Sequence, residues 1–239
     1  MILKQSIPTK TIYLDAENGD DSNNGLTIST AVKTIQEALN RAPKGFYTQI
    51  RFKTNCQYII NNDIIIEDKN IFFMPITYGE YSDLKFDLNV SNNKLYIKKI
   101  YIGHNSNLYF HSLNFDTIKA IPENHITYDF YSKQFIHFQY SNSYIEFNKC
   151  KFNLYDNRIV RSSFTSHMNV KIIGSKIQFN FDKNNSYFLD FGYAGTGSIS
   201  LNGLQLYDKN GNILYDYLNY IAGVKYDKNG NLVNITYNY

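Results

Sequence analysis

The chain of 239 residues is long enough to bury one substantial core and needs no second domain. Its 24 basic and 21 acidic residues leave a formal net charge of +3, too balanced for nucleic-acid binding by charge alone. No apolar run approaches the roughly 18 to 20 residues that span a bilayer, and the N-terminus lacks a signal peptide's basic start and long apolar core, so a soluble protein is expected.

Aromatic residues make up 16% of the chain, with 22 Tyr, 17 Phe and no Trp. Tyr, Phe and the frequent Ile favour strands, and Asn favours the turns between them. The two cysteines, Cys56 and Cys150, are too few for a disulfide framework and lack metal-site spacing, so each reads as a small buried apolar residue.

In chain order, Ile12 and Leu14 alternate with Tyr13 and Asp15 as a strand. The segment from Asn18 to Gly25 supplies turn residues, and Ala31, Ile35, Ala38, Leu39 and Ala42 recur at helical spacing. The pattern predicts a helix from Thr30 to Arg41, stopped by Pro43 and Gly45. Asp15, Asn18, Asp20, Asp21 and Asn23 offer oxygen to a hard cation. They do not follow the EF-hand spacing, and a loop held by Asx turns that caps a helix explains them better, so no metal is assigned.

Short strands follow at Ile64 and Ile66, Ile71 and Phe73, and Leu84 and Phe86. A motif then recurs: apolar, any, apolar, two spacers, small or apolar, any, apolar. It fits Leu108, Phe110, Leu113, Phe115; Ile145, Phe147, Cys150, Phe152; Val170, Ile172, Ser175, Ile177; and Ile199, Leu201, Leu204, Leu206, with Leu95, Ile97, Ile100, Ile102 as a fifth match. The phase of alternation breaks once and resumes, which a corner explains, because both halves then point into one core. Asn148-Lys149, Gly174 and Asn202-Gly203 mark the corners. The four segments begin 37, 25 and 29 residues apart, a solenoid period with loops of variable length on one side.

Near the C-terminus, Tyr207-Asp208-Lys209-Asn210-Gly211-Asn212 returns 19 residues later as Tyr226-Asp227-Lys228-Asn229-Gly230-Asn231. Each Asn-Gly predicts a type I′ hairpin turn, pairing Leu204 to Tyr207 with Ile213 to Tyr217, and Val224 to Tyr226 with Leu232 to Tyr237. The expected organisation is one continuous domain: strand, loop and capping helix in 1–45, a parallel β-helix in 46–206, and a hairpin region in 207–239.

The strand, polar loop and helix at the start, followed by the coils, resemble the right-handed parallel β-helix proteins of the pectin-lyase-like superfamily, particularly those of bacteriophage tails. The resemblance implies an all-β right-handed parallel β-helix with an N-terminal capping helix. It also implies a homotrimeric tail fibre or tailspike-like receptor-binding protein, carried on the virion tail or freed by lysis, with other tail proteins and a bacterial surface polysaccharide as partners. No cofactor, nucleic acid or membrane is implied. Two alternatives stay open: a depolymerase of capsule or lipopolysaccharide, acting as lyase or glycoside hydrolase, and a structural virion or baseplate component.

Lyases of this superfamily use a carboxylate-bound calcium with a basic residue, and its hydrolases use paired or triple aspartates. Such chemistry needs an exposed cluster on neighbouring coils. Glu146 points outward between Ile145 and Phe147, but the equivalent outward positions are Tyr109, Lys171 and Ser200, so no carboxylate ladder is expected. Leu189-Asp190-Phe191-Gly192 has the outline of the family's esterase element around Asp190, and Asp129, Asp156 and Asp182 lie in or beside loops. Those five carboxylates are the catalytic candidates.

Arg158 and Arg161, two of four arginines, could grip an acidic sugar with Asp156 or form an ion pair in a loop. Tyr101, Tyr109 and Tyr144, with Asn107 and Asn142, could offer ring faces and amides to a sugar, or be buried between subunits. The five histidines are dispersed and lack metal spacing.

Overall fold

The computed structural model describes residues 9–91, 94–117, 134–139, 143–155, 157–163, 166–180, 187–192 and 195–238, with backbone alone for 88–96. The chain winds through three sheets in a repeating order. Sheet C holds Ile64–Ile66, Ile100–Ile102, Gln134–Phe138, Arg158–Ser162, Leu189–Asp190 and Ile221–Ala222. Sheet A holds Thr9–Leu14, Tyr47–Phe52, Asn70–Pro75, Asn107–His111, Ser143–Asn148, His167–Ile173, Thr196–Asn202 and Ile235–Asn238. Sheet B runs from Gln57–Ile60 through Ser82–Phe86, Leu113–Thr117, Lys151–Leu154 and Lys176–Phe179 to Gln205–Tyr207, with Ile213–Leu214 added antiparallel at its end. Every other neighbouring pair within these sheets is parallel, so each coil lays one strand on each sheet. This is an all-β parallel β-helix.

All sixteen positions of the four best motif matches are buried, so the broken alternation does mark a corner, here between sheets A and B. Ser112, Lys149, Gly174 and Gly203 occupy the corner at φ 51°, 54°, 51° and 64°. Each of the first three donates its N–H to a carbonyl on the next coil: Ser112 to Asn148, Lys149 to Ile173 and Gly174 to Asn202, at 3.0, 2.8 and 2.7 Å. The left-handed residue turns the chain while keeping the polar backbone paired. Inside, Phe73, Phe110 and Phe147 stack coil upon coil, with centroids 4.8 and 5.4 Å apart.

Four features differ from the sequence reading. The fifth motif match is no corner of this kind, because Lys94–Ile97 is the second arm of an antiparallel hairpin with Leu88–Ser91, and Ile100–Ile102 belongs to sheet C. The helix is shorter, Ile35–Arg41. Ala31 and Val32 are buried for another reason: Val32 bridges Leu14, while a 3-10 turn spans Ile28–Thr30. Thr34 is the cap, its Oγ1 accepting from Glu37 N at 3.1 Å. The two Asn-Gly turns are not type I′, since Gly211 and Gly230 take positive φ but their asparagines do not. Asp208 O accepts from Gly211 N, and the carboxylate of Asp208 takes the N–H groups of Asn210 and Asn212, which fits a type I turn followed by a left-handed glycine. Finally, Ile221–Ala222 and Ile235–Asn238 add further parallel strands to sheets C and A, so the coil continues past 206.

Both cysteines are free and buried, and burial pushes the Cys150 thiol up to about 12. Among the described residues no helix is long and apolar enough to cross a membrane.

Candidate functional site

Strand register decides which outward side chains meet. On sheet A, Gln49, Phe72, Tyr109, Glu146, Lys171 and Ser200 form one column, and Tyr47, Asn70, Asn107, Tyr144, Asn169 and Ser198 form the next. Tyr109, Tyr144 and Glu146 are therefore neighbours, joined by Tyr47 and Phe72. Phe72 and Tyr109 lie face to face, centroids 4.2 Å apart at 6°, and Tyr109 tilts against Tyr144 at 5.6 Å. The face of Tyr109 toward Phe72 is thus already covered, so this ring offers a ligand chiefly its edge and hydroxyl.

Beside this ladder a cleft of about 180 Å³ is lined by Phe72, Met74, Tyr109, His111, Glu146 and Asn148. The Tyr144 hydroxyl donates to Glu146 Oε2 at 2.7 Å, and Lys171 Nζ stands 3.5 Å from the same oxygen. Glu146 Oε1 has no partner among the described residues. Burial, then donation to Glu146, pushes the Tyr144 phenol well above its ordinary range. Burial also raises Tyr109, while burial and then Lys149 lower His111. At neutral pH the Tyr109 hydroxyl and the His111 imidazole of this cleft are therefore neutral.

Tyr101, Arg158, Arg161 and Asp190 fall on sheet C. Its outward column reads Ile65, Tyr101, His137, Arg161, Asp190 and Ala222. Arg158 Nε and Arg161 Nε stand 3.1 and 3.4 Å from Asp190 Oδ2, and Asp190 Oδ1 accepts from Gly192 N at 2.8 Å. Arg161 and Asp190 are only 4% and 2% exposed, so the arginines form a buried ion pair rather than a solvated one in a loop. His137 lies between Gln134 and Ser163, its Nδ1 2.9 Å from Gln134 Nε2 and its Nε2 2.9 Å from Ser163 Oγ. With the amide as donor, Nδ1 accepts and Nε2 carries the proton. Burial, reinforced by Lys99 and Arg161, lowers His137 to about 4.

Asp129, Asp156, Asp182 and Asn142 lie outside the described residues. In the N-terminal loop, Asp15, Glu17 and Cys56 bring ligand atoms within 4.8 Å of one another. Lys53 Nζ sits among them, 3.0 Å from Asp15 and 3.1 Å from Glu17, and Asp15 Oδ1 accepts from the N–H groups of Glu17 and Asn18. An ammonium fills the place a cation would take, and the carboxylate serves the turn.

Sequence reasoning missed Phe72, His111, His137, Gln134 and Ser163. Phe72 was within reach, because Ile71 and Phe73 point inward and leave it outside. The Gln134–Phe138 strand gave no such signal: Phe135 and Ile136 are both buried, which erases the alternation.

Among solved structures, the chain is similar to a pectin methylesterase mutant crystallised in complex with a hexasaccharide. The identity is 12%, the alignment covers 96% of this chain and 93% of that one, and the TM-score is 0.40. No family model and no curated protein matches the sequence. The architecture therefore rests on the three parallel sheets of this chain itself.

Proposed function

We propose that this β-helix protein recognises a glycan through the outer face of sheet A, and does so by binding rather than cleavage. The observation that carries the reading is the cleft beside the Phe72–Tyr109–Tyr144 ladder, where Glu146 is fixed through one oxygen and has the other uncommitted. A carboxylate held in this way accepts from sugar hydroxyls, and the aromatic wall shields those bonds from water. Among the residues lining the cleft Glu146 is the one carboxylate, whereas glycosidic hydrolysis uses two. On sheet C, Asp190 is engaged by two arginines.

The finer proposal is a receptor-binding protein of a phage or prophage tail fibre or tailspike, assembled as a homotrimer and attached to other tail proteins. Its support is the resemblance of the N-terminal strand, loop and helix together with the coils.

Calorimetric titration with purified cell-surface polysaccharide tests the binding. Saturable binding is expected, with Glu146→Gln weakening it by about tenfold, the usual loss when a charge-assisted hydrogen bond becomes a neutral one. Absence of binding to the polysaccharide of every bacterial strain that the fluorescently labelled protein stains would remove the proposal. So would an undiminished affinity in Glu146→Gln. Antibodies that decorate virion tails would support the tail assignment, and a light-scattering mass of one chain, 27.9 kDa, would refute the trimer.

A further inference from the structure

The coil ends in a cavity that the sheet A reading does not use. It measures about 530 Å³ and is lined by Tyr215, Asp216, Tyr217, Leu218, Asn219, Tyr226 and Tyr237. The four tyrosines come from three separate stretches: the 3-10 turn Tyr217–Tyr220 and its approach, the bridge between Tyr226 and Leu232, and the last strand, Ile235–Asn238. Whereas Phe73, Phe110 and Phe147 inside the coils are buried, Tyr215 and Tyr226 are 73% and 54% exposed. Neither side chain has a ring or hydrogen-bond partner among the described residues.

Two polar side chains of the wall, those of Asp216 and Asn219, are equally uncommitted among the described residues. Asp216 precedes the 3-10 turn in the cap position at φ 57° and ψ 60°, a left-handed conformation that glycine takes most readily and aspartate tolerates. An aspartate at a cap ordinarily bonds the backbone N–H groups of the turn it begins, but this one makes no such bond. Asn219 N donates to Asp216 O at 2.9 Å, which places the two side chains one turn apart on the same wall of the cavity. Their carboxylate and amide have no partner among the described residues. The frame around them is fixed, since the Tyr217 hydroxyl donates to Leu204 O at 2.7 Å and the strand carrying Tyr237 pairs with Thr196–Asn202.

We propose that this cavity is a second binding site, for an uncharged saccharide, in which Tyr215 and Tyr226 take the apolar face of a sugar ring while Asp216 and Asn219 bond its hydroxyls. The volume lies within the range of small-molecule sites. Aromatic faces beside an acceptor and an amide match the two sides of a pyranose, one of C–H groups and one of hydroxyls. Because no basic residue lines the cavity, Asp216 repels uronic and sialic acids. The site stands apart from the sheet A cleft and does not depend on it.

The absence of tryptophan supplies the reporter. Tyr215→Trp places a single indole in the cavity wall, and its emission is expected to shift to the blue, saturably, with at least one of maltose, cellobiose or lactose, but not with digalacturonate. Asp216→Gly in that background removes the carboxylate and suits the left-handed backbone, so folding is retained while the midpoint rises about tenfold or more. Tyr226→Ala acts in the same direction, and Glu146→Gln leaves the signal unchanged, which separates this site from sheet A. Saturation-transfer NMR of the unsubstituted protein with the same three disaccharides guards against an effect of the indole, and Asp216→Gly should weaken the transfer by the same factor in affinity. The proposal is overturned if none of the three sugars produces a shift or transfer, if Asp216→Gly and Tyr226→Ala leave the response intact, or if choline chloride alone gives it, which would make the cavity a cation cage.

Discussion

His137 shows how a single side chain ties the stability of the coil to pH. In the fold its imidazole is held neutral down to about pH 4, first by burial and then by the charges of Lys99 and Arg161, with Asp190 pulling the other way. In the unfolded chain a histidine titrates near 6.5. Between those values the unfolded state binds a proton that the native state refuses, so stability falls as the pH drops from about 6.5 toward 4. The loss from this residue should reach about 2 kcal/mol at pH 5 relative to pH 7. His137→Gln has no proton to gain and should flatten that slope, whatever it costs at neutral pH. Urea unfolding midpoints at pH 7 and pH 5 measure it, and an equal acid loss in both proteins would show that His137 charges freely in the fold.

At the scale of elements, the corner between sheets A and B is the device that turns a strand into a coil. Gly174 takes φ 51° there, and an added Cβ would meet nothing nearer than the Lys149 side chain at 3.8 Å. Gly174→Ala therefore has room and should cost only the backbone conformation, about 1 kcal/mol, while Gly174→Asn should cost less because asparagine tolerates the left-handed region. Thermal unfolding of the two variants distinguishes them; a loss of several kcal/mol in Gly174→Ala would mean that packing rather than φ sets the corner. This corner was the most legible part of the sequence, because inward alternation on both sides of a two-residue gap leaves few other geometries. The outward column of Tyr109, Glu146, Lys171 and Ser200 followed from it directly. Sheet C was legible at Ile64–Ile66 and Ile100–Ile102 but not beyond. Leu189–Asp190 is too short to show a period, and Phe135–Ile136 and Ile159–Val160 are buried side by side. Tyr101 has the same outward pattern in sequence as Tyr109 and Tyr144, yet it lies on another sheet. The observed helix is shorter than its apolar spacing predicts because Ala31 falls at helical spacing from Ile35 but is buried beside the bridge residue Val32, before the helix begins.

Over the whole molecule, each coil rests only on its two neighbours, so the position of a core substitution matters as much as its size. Phe110 sits mid-stack, 4.8 Å from Phe73, 5.4 Å from Phe147 and 5.3 Å from Phe115. Truncating it removes contacts with the coils above and below, and Phe110→Ala should cost about 3–5 kcal/mol of global stability. Ile235 is also buried, but among the described residues its strand is the last of sheet A and has one neighbour, Thr196–Asn202. Ile235→Ala should free that strand while the preceding coils hold. Amide hydrogen exchange separates the two: Phe110→Ala should accelerate exchange along all three sheets, whereas Ile235→Ala should accelerate it in 221–238 and leave Leu108–Phe110 protected. Uniform acceleration in both would mean that the coils melt as one cooperative unit, and the cavity walled by Tyr237 would then be as stable as the centre of the coil.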